Sequence, residues 1–253
     1  MTGGDNIVGS VERSIEIVAA IQDLNGARVT ELADHLDLPA STVHNHLATL
    51  SKHRFLVKED GVYQIGLRYL ELGGYARHRK LAYDLAFDIV DQLAEETAER
   101  AQFIVEEHGR GIYLHTAIGS NAVELDARIG KVTYLHSSAA GKAILSQLPR
   151  KRVDEILDRW GMTKFTGETI IDRSVLYADL EEIRERGYSF TEGEEFEGIR
   201  SVGVPVTCPD GTVLGGFSVS GPSNRMKYKL FRDEIPDMIL GAANELELNI
   251  TYA

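Results

Sequence analysis

The chain has 253 residues, 43% of them apolar, and a net charge of -12. That is room for one large or two ordinary domains with a buried core, but no apolar run approaches the ~18 residues of a helix that crosses a bilayer. The opening MTGGDNIVGSVERS lacks the basic-then-apolar order of a signal peptide, and the single cysteine, Cys208, excludes an internal disulfide framework and argues against a cysteine-based zinc site.

A soluble, cytoplasmic protein without a membrane partner is therefore expected. Only nine of its 27 basic residues are Lys, and an acidic, Lys-poor surface suits a cytosol very rich in salt. In these bulk numbers a basic footprint for nucleic acid is missing.

Residues 10–25 place Val11, Ile15, Val18 and Ile21 or Ala19 at helical spacing, and Gly26 stops that helix. Thr30 is placed to cap a second helix over ELADHLDL, which ends before Pro39. A third begins near Ala40, with Val43, Leu47 and Leu50 on its inner face. FLVK and VYQIG then read as strands joined by Asp60-Gly61, where both turn positions tolerate positive φ. Three helices and a hairpin over 7–68 make a winged helix-turn-helix, whose third helix enters the major groove of double-stranded DNA.

Its outer face carries Ser41, Thr42, His44, Asn45, Ala48, Thr49 and Lys52. Asn pairs with adenine N6 and N7, and Ser and Thr serve bases or phosphates. Lys52, Arg54 and Lys58 gather at the junction of helix and wing, where phosphates would pass. The competing account is a helix face that is merely solvated. Charge counts against DNA, since residues 1–75 hold six basic side chains against ten acidic ones.

Residues 69–80 read as a linker helix, weakened by Gly73-Gly74, in which Arg77, Arg79 and Lys80 form a short basic cluster. A second domain, 81–253, opens with the amphipathic helix LAYDLAFDIVDQLAEETAER. AQFIVEEH and IYLHTAI form a hairpin around GRG, and VELDARIGKVTYLH adds short strands. Helices follow at 137–148, at 149–159 and over SVLYADLEEIRERG. YSFTE, IRSVGVPVTC and TVLGGFSVSG are strands, the last two joined by the turn PDG. A helix over about 227–249 closes the chain. Helices with hairpin-joined strands indicate an α+β domain with a largely antiparallel sheet.

Two stretches of this domain carry chemistry. GFSVSGP puts Ser218 and Ser220 on one strand face, opposite Phe217 and Val219. HSSAAGKAIL opens a helix with tiny side chains, whose exposed amides would bind a small carboxylate. Equally, Ala and Gly there permit close packing of helix on sheet.

Enzyme motifs do not form. AAGKA lacks the first Gly and the hydroxyl residue of a phosphate loop. Ser138 and Lys142 are four apart, not the three of a Ser-x-x-Lys nucleophile. His44 and His46 point to different sides of a helix, and no histidine pair has metal spacing. His115 and His136 read as hydrogen-bonded structural residues rather than catalytic ones. The acids Glu192, Glu194, Glu195 and Glu197 read as a solvated loop rather than a cation site.

SVERSIEIVAAI, VTELADHLDLPASTVHNHLATL, LHSSAAGKAILSQLP, RERGYSFTEGEEFEGIRSVGVPV and PDGTVLGGFSVSGPSNRM follow one another in the order seen in IclR-family transcription regulators, which the chain resembles from about residue 7 to 250. The Lys-poor acidity resembles haloarchaeal members. The resemblance implies a GAF-like effector domain, a homodimer through the N-terminal domain or a homotetramer, and no catalytic residue, metal or cofactor. It implies a small effector from a catabolic pathway, a carboxylate or sugar acid, lined by Ala139, Ala140, Ser201, Ser218 and Ser220, with Leu125, Leu135 and Thr191 beside them. Ser201 stands where the motif often has Cys, and Thr191 where many members carry an acid. The rival reading is an enzyme fused to a DNA-binding domain.

Overall fold

The computed structural model describes residues 7–252. Contacts divide the chain into two units, one ending at Arg77 and one starting at His78. In the first, α1 (Gly9–Asp23), α2 (Val29–Leu36) and α3 (Ala40–Lys52) precede a hairpin of β1 (Leu56–Glu59) and β2 (Val62–Ile65), and α4 (Arg68–Arg77) follows. Asp60 and Gly61 have φ of 49° and 85°, so the hairpin closes on a turn with both central residues at positive φ, as expected.

Two details of this unit differ from expectation. Its core holds Ile17, Ala20 and Ile21 of α1, together with Leu32, Val43 and Leu47. Val11 and Ile15 are 57% and 65% exposed instead. Helix α1 has two apolar faces, and spacing alone does not say which one packs inward. Thr30 lies inside α2 and caps nothing. The Arg28 amide, just before that helix, donates to Glu31 Oε2 at 2.6 Å, so a carboxylate three residues in satisfies the free donor.

Helix α4 runs unbroken through Gly73-Gly74 and buries no residue. Cβ atoms on these glycines would meet nothing within 4 Å. Gly costs a helix interior about 0.5–1 kcal/mol relative to Ala. Gly73→Ala and Gly74→Ala should each slow amide exchange across 68–77 up to about fivefold. Unchanged exchange would mean the helix is held by something other than its own backbone.

The second unit is a six-stranded antiparallel sheet, ordered β5-β4-β3-β8-β7-β6. Its strands are β3 (Arg100–Glu107), β4 (Arg110–Ile118), β5 (Val132–Thr133), β6 (Ser189–Glu192), β7 (Ile199–Thr207) and β8 (Val213–Pro222). Most of VELDARIGKVTYLH is irregular, with only Val132 and Thr133 in a strand.

Alternation sorts the side chains between faces. Ala101, Phe103, Phe217 and Val219 pack with α5 (Leu81–Thr97) and α9 (Ile235–Tyr252). Ile104 and Tyr113 pack with α6 (Ala139–Gln147), α7 (Arg150–Trp160) and α8 (Arg173–Arg186). A π-helical turn, Leu230–Glu234, leads into α9. Among the described residues no helix is long and apolar enough to cross a membrane.

Helix α6 lies almost against the strands. A Cβ on Gly203 of β7 would sit 2.4 Å from the Ala139 carbonyl carbon. Ser189 Oγ donates to the Ala139 carbonyl at 2.6 Å. The small residues that open α6 thus serve close packing on the sheet.

Candidate DNA interface and ligand cavity

In the first unit, Val43 and Leu47 turn α3 inward, which leaves Ser41, His44, Asn45, Thr49 and Lys52 exposed and Thr42 partly so. Thr49 Oγ1 is occupied with the Asn45 carbonyl at 2.9 Å. His46 faces the other way, its Nδ1 2.8 Å from Ser14 Oγ on α1. Arg54 follows α3 with φ of 64°. Its carbonyl would lie 2.6 Å from a Cβ on Gly66, and the Gly66 amide donates to the Phe55 carbonyl at 2.8 Å. The turn from reading helix to wing is therefore fixed by backbone packing. Lys58 lies exposed on β1, its Nζ 5.0 Å from the Tyr63 ring centroid. The basic groups flank the polar helix face, while Glu59 and Asp60 occupy the exposed wing tip.

In the second unit, Leu125, Thr191, Ser201 and Ser220 line one small cavity. Its walls are completed by Gln102, Tyr113, Glu194 and Glu195, among others. Ser218 lies next to it: the Ser218 hydroxyl donates to Gln102 Oε1 at 2.8 Å, and Ser220 to the same oxygen at 3.4 Å. Register explains the convergence. Gln102 pairs with Ser218 and Arg100 with Ser220 across β3 and β8, and Ser220 pairs with Ser201, which pairs with Thr191. Leu135, Ala139 and Ala140 are buried and do not line this cavity.

Three polar groups here escaped the sequence. Lys142, 1% exposed, donates to Asp179 Oδ2 at 2.8 Å and Glu194 Oε1 at 2.7 Å. Glu194 is buried, not part of a solvated loop. Burial, only partly offset by Lys142, pushes its carboxyl up to about 7. Its Oε2 is buried without a hydrogen-bond partner, as is Arg100 Nε. Burial also raises Glu195, whose Oε1 accepts from Thr133 Oγ1 at 2.7 Å. The signal for the triad of Lys142, Asp179 and Glu194 was present: a lysine on an otherwise apolar helix must find acids elsewhere. Among Glu192, Glu194, Glu195 and Glu197, Glu192 is bound by Arg200 and Arg232 at the surface.

Neither His115 nor His136 lines this cavity. His136 Nε2 is 3.0 Å from the Thr163 carbonyl, and burial lowers its pKa. His115 Nε2 is 2.8 Å from Asp91 Oδ1. Among the described residues no group of three His, Cys, Asp or Glu is arranged to hold a metal.

Comparison with known proteins agrees with both halves. The profile for the IclR helix-turn-helix domain matches residues 10–60, and that for the bacterial transcriptional regulator IclR C-terminal region matches 77–248. The chain is 32% identical over 250 residues to the "Probable HTH-type transcriptional regulator ArcR" of Halobacterium salinarum, covering 97% of this chain and 95% of that one. It is 29% identical to the transcriptional repressor IclR of Escherichia coli K12, over 95% of this chain and 89% of the relative. The crystal structure of Thermotoga maritima IclR superposes with a TM-score of 0.79 at 27% identity, over 96% of this chain and 98% of that one. An IclR homologue from Microbacterium hydrocarbonoxydans, complexed with 4-hydroxybenzoate, shares the fold with a TM-score of 0.80 at 21% identity, over 96% of this chain and 98% of that one. The matched families and relatives are transcription regulators, not enzymes. With two matching profiles in register over most of its length, the chain belongs to the IclR family of DNA-binding transcription regulators.

Proposed function

We propose that this chain is a metabolite-responsive repressor, acting as a homo-oligomer in a salt-rich cytoplasm. The observation that carries the reading is the polar cavity in the second unit, built from strands that meet only in the fold. A small effector held there would bias the arrangement of the DNA-reading units through the 69–80 linker, which requires different affinities for two arrangements. The exposed apolar face of α1, with Val8, Val11 and Ile15, supports a dimer through the first unit. Acidity and Lys poverty, shared resemblance to a Halobacterium relative included, support the salt-rich setting.

Ser41, Thr42, His44, Asn45 and Thr49 would read bases, and Lys52, Arg54 and Lys58 phosphates. Asn45→Ala should weaken operator binding by about 1–3 kcal/mol, roughly five- to 150-fold, and relax specificity at one base pair. Lys58→Ala should weaken all sequences alike and reduce the salt slope by about one for each bound unit. With three basic contacts per unit and two units on the operator, log K against log salt should fall with a slope of about -5. Wild-type affinity in both variants, in salt-matched assays, would remove α3 and the wing from the interface. The effector half is tested by a broad metabolite screen on the full chain. A true effector raises the melting temperature and changes operator affinity; no active compound would argue for a cavity that is only structural.

A further inference from the structure

The enclosed part of the cavity is about 20 Å³, room for one water-sized group and not for a whole metabolite. A cavity of that size would seat a head group, and the rest of a ligand would need the 193–198 segment or the loop carrying Leu125 to move. Its ionisable lining is acidic. Glu194 and Glu195 face it, Tyr113, Thr191, Ser201 and Ser220 add hydroxyls, and no Lys, Arg or His belongs to the wall. Lys142, behind the wall, is held by Glu194 Oε1 at 2.7 Å and Asp179 Oδ2 at 2.8 Å, and Arg100 turns its guanidinium to the Val123 carbonyl at 3.1 Å and Thr116 Oγ1 at 3.4 Å. Glu194 spends Oε1 on Lys142 and leaves Oε2 buried with nothing donating to it.

A buried carboxylate oxygen without a donor is costly, and the chemistry that satisfies it is a charged N–H. A carboxylate head would bring a third anion beside two acids and has no base in the wall to meet it. We propose that this pocket selects a metabolite whose head is a protonated nitrogen, an ammonium or a compact amidinium, seated on Glu194 Oε2 among the hydroxyls of Thr191, Ser201 and Ser220. The assignment rests on the effector-site reading above and replaces the acid head that the opening of α6 implied. Glu195 adds a second negative wall, and Phe196 and Ile199 cover the alkyl portion.

Charge then couples ligand to proton. Glu194 meets Lys142 on α6 and Asp179 on α8, with Arg186 on the other oxygen of Asp179, while the adjacent Glu195 meets Thr133, Lys131 and Tyr113. Burial pushes the Glu194 carboxyl up to about 7, so a cationic head binds the ionised form and gains affinity as pH rises through neutrality. An acid head would prefer the protonated form and lose affinity over the same range.

The test uses three probes of similar size on the full chain at constant chloride: propylamine, 1-propanol and propionate. Propylamine should raise the melting temperature at millimolar concentration, more at pH 8 than at pH 6, and the other two should not. Glu194→Gln keeps an acceptor for Lys142 and should abolish the shift. The wild-type pH profile tests the same point if that variant does not fold. A shift from propionate alone would overturn the charge assignment and leave the effector site standing. A propylamine shift that survives Glu194→Gln, or no shift from any probe, would also overturn it. The effector reading itself falls only if the broad metabolite screen is empty.

Discussion

Lys142→Met is expected to cost the second unit about 3–5 kcal/mol, the usual penalty for leaving buried charges without their partner. The methionine fills the space of the alkyl stem, so the loss reports charge and not a void. Glu194 and Asp179 would face each other with only Arg186, 3.7 Å from Asp179, to offset them. Urea unfolding of the full chain measures it, read on a second-unit probe such as Trp160.

The sign with pH follows from Glu194. Its carboxyl titrates near about 7 against an ordinary 4.5. Between those values the folded protein holds a proton the unfolded chain has lost, so this group's contribution declines as pH rises through that window. Without Lys142 the folded value climbs further, and the decline extends past neutrality. The variant's deficit should therefore be larger at about pH 8 than at about pH 6. Adding Glu194→Gln should recover part of it, the coupling expected of neighbours. A deficit below about 1 kcal/mol at both pH values would show that the acids are solvated and the triad contributes little.

Gly203→Ala should be the second costly change. A single methyl at this position would overlap the backbone of α6, with the Ala139 carbonyl carbon at 2.4 Å and the Ala140 amide nitrogen at 2.6 Å. Backbone cannot rotate aside as a side chain does, so α6 must lift from β7. Overpacking of this kind costs about 1–3 kcal/mol or more. Lifting α6 would also stretch the Ser189 hydroxyl bond to Ala139 and shift Lys142 away from its acids. Gly73→Ala, in open space, is the matched control and should not destabilise. If Gly203→Ala melts within a degree of wild type, the helix is not seated on the strand as closely as these distances say.

Much of this molecule was legible from periodicity and punctuation. The inner face of α3, the positive-φ turn at Asp60-Gly61 and the alternation of Phe217 and Val219 against Ser218 and Ser220 all follow from local pattern. So does the antiparallel sheet. Helix α1 shows where pattern stops, because two apolar faces share one helix and only tertiary contacts choose between them. Glu31 outcompeted Thr30 at the start of α2 because a carboxylate at the third helical position reaches back to the free amide.

The cavity shows a different limit. Ser218 and Ser220 came from strand alternation, Thr191 and Ser201 from family resemblance alone, and strand register brings the four to one place beside Gln102, 116 residues from Ser218 in the chain. No local signal joins positions so far apart. Lys142 was visible as a residue, but its partners on α8 and in the 193–198 segment were not. Composition hid the same fact in the acid run, where Glu192 is salt-bridged at the surface and Glu194 is deep in the fold.

In the proposed relay, helix α4 would set a ceiling on signalling. Ten residues with no buried side chain and two adjacent glycines form a helix below the ~12–15 residues at which isolated helices become stable in water. A strut of that kind transmits bias only up to the free energy of melting it. Any larger preference imposed by the second unit would be dissipated as unwinding before it reached the DNA-reading helix. The proposed relay would therefore give graded control over a modest range, and stiffening this segment would widen that range.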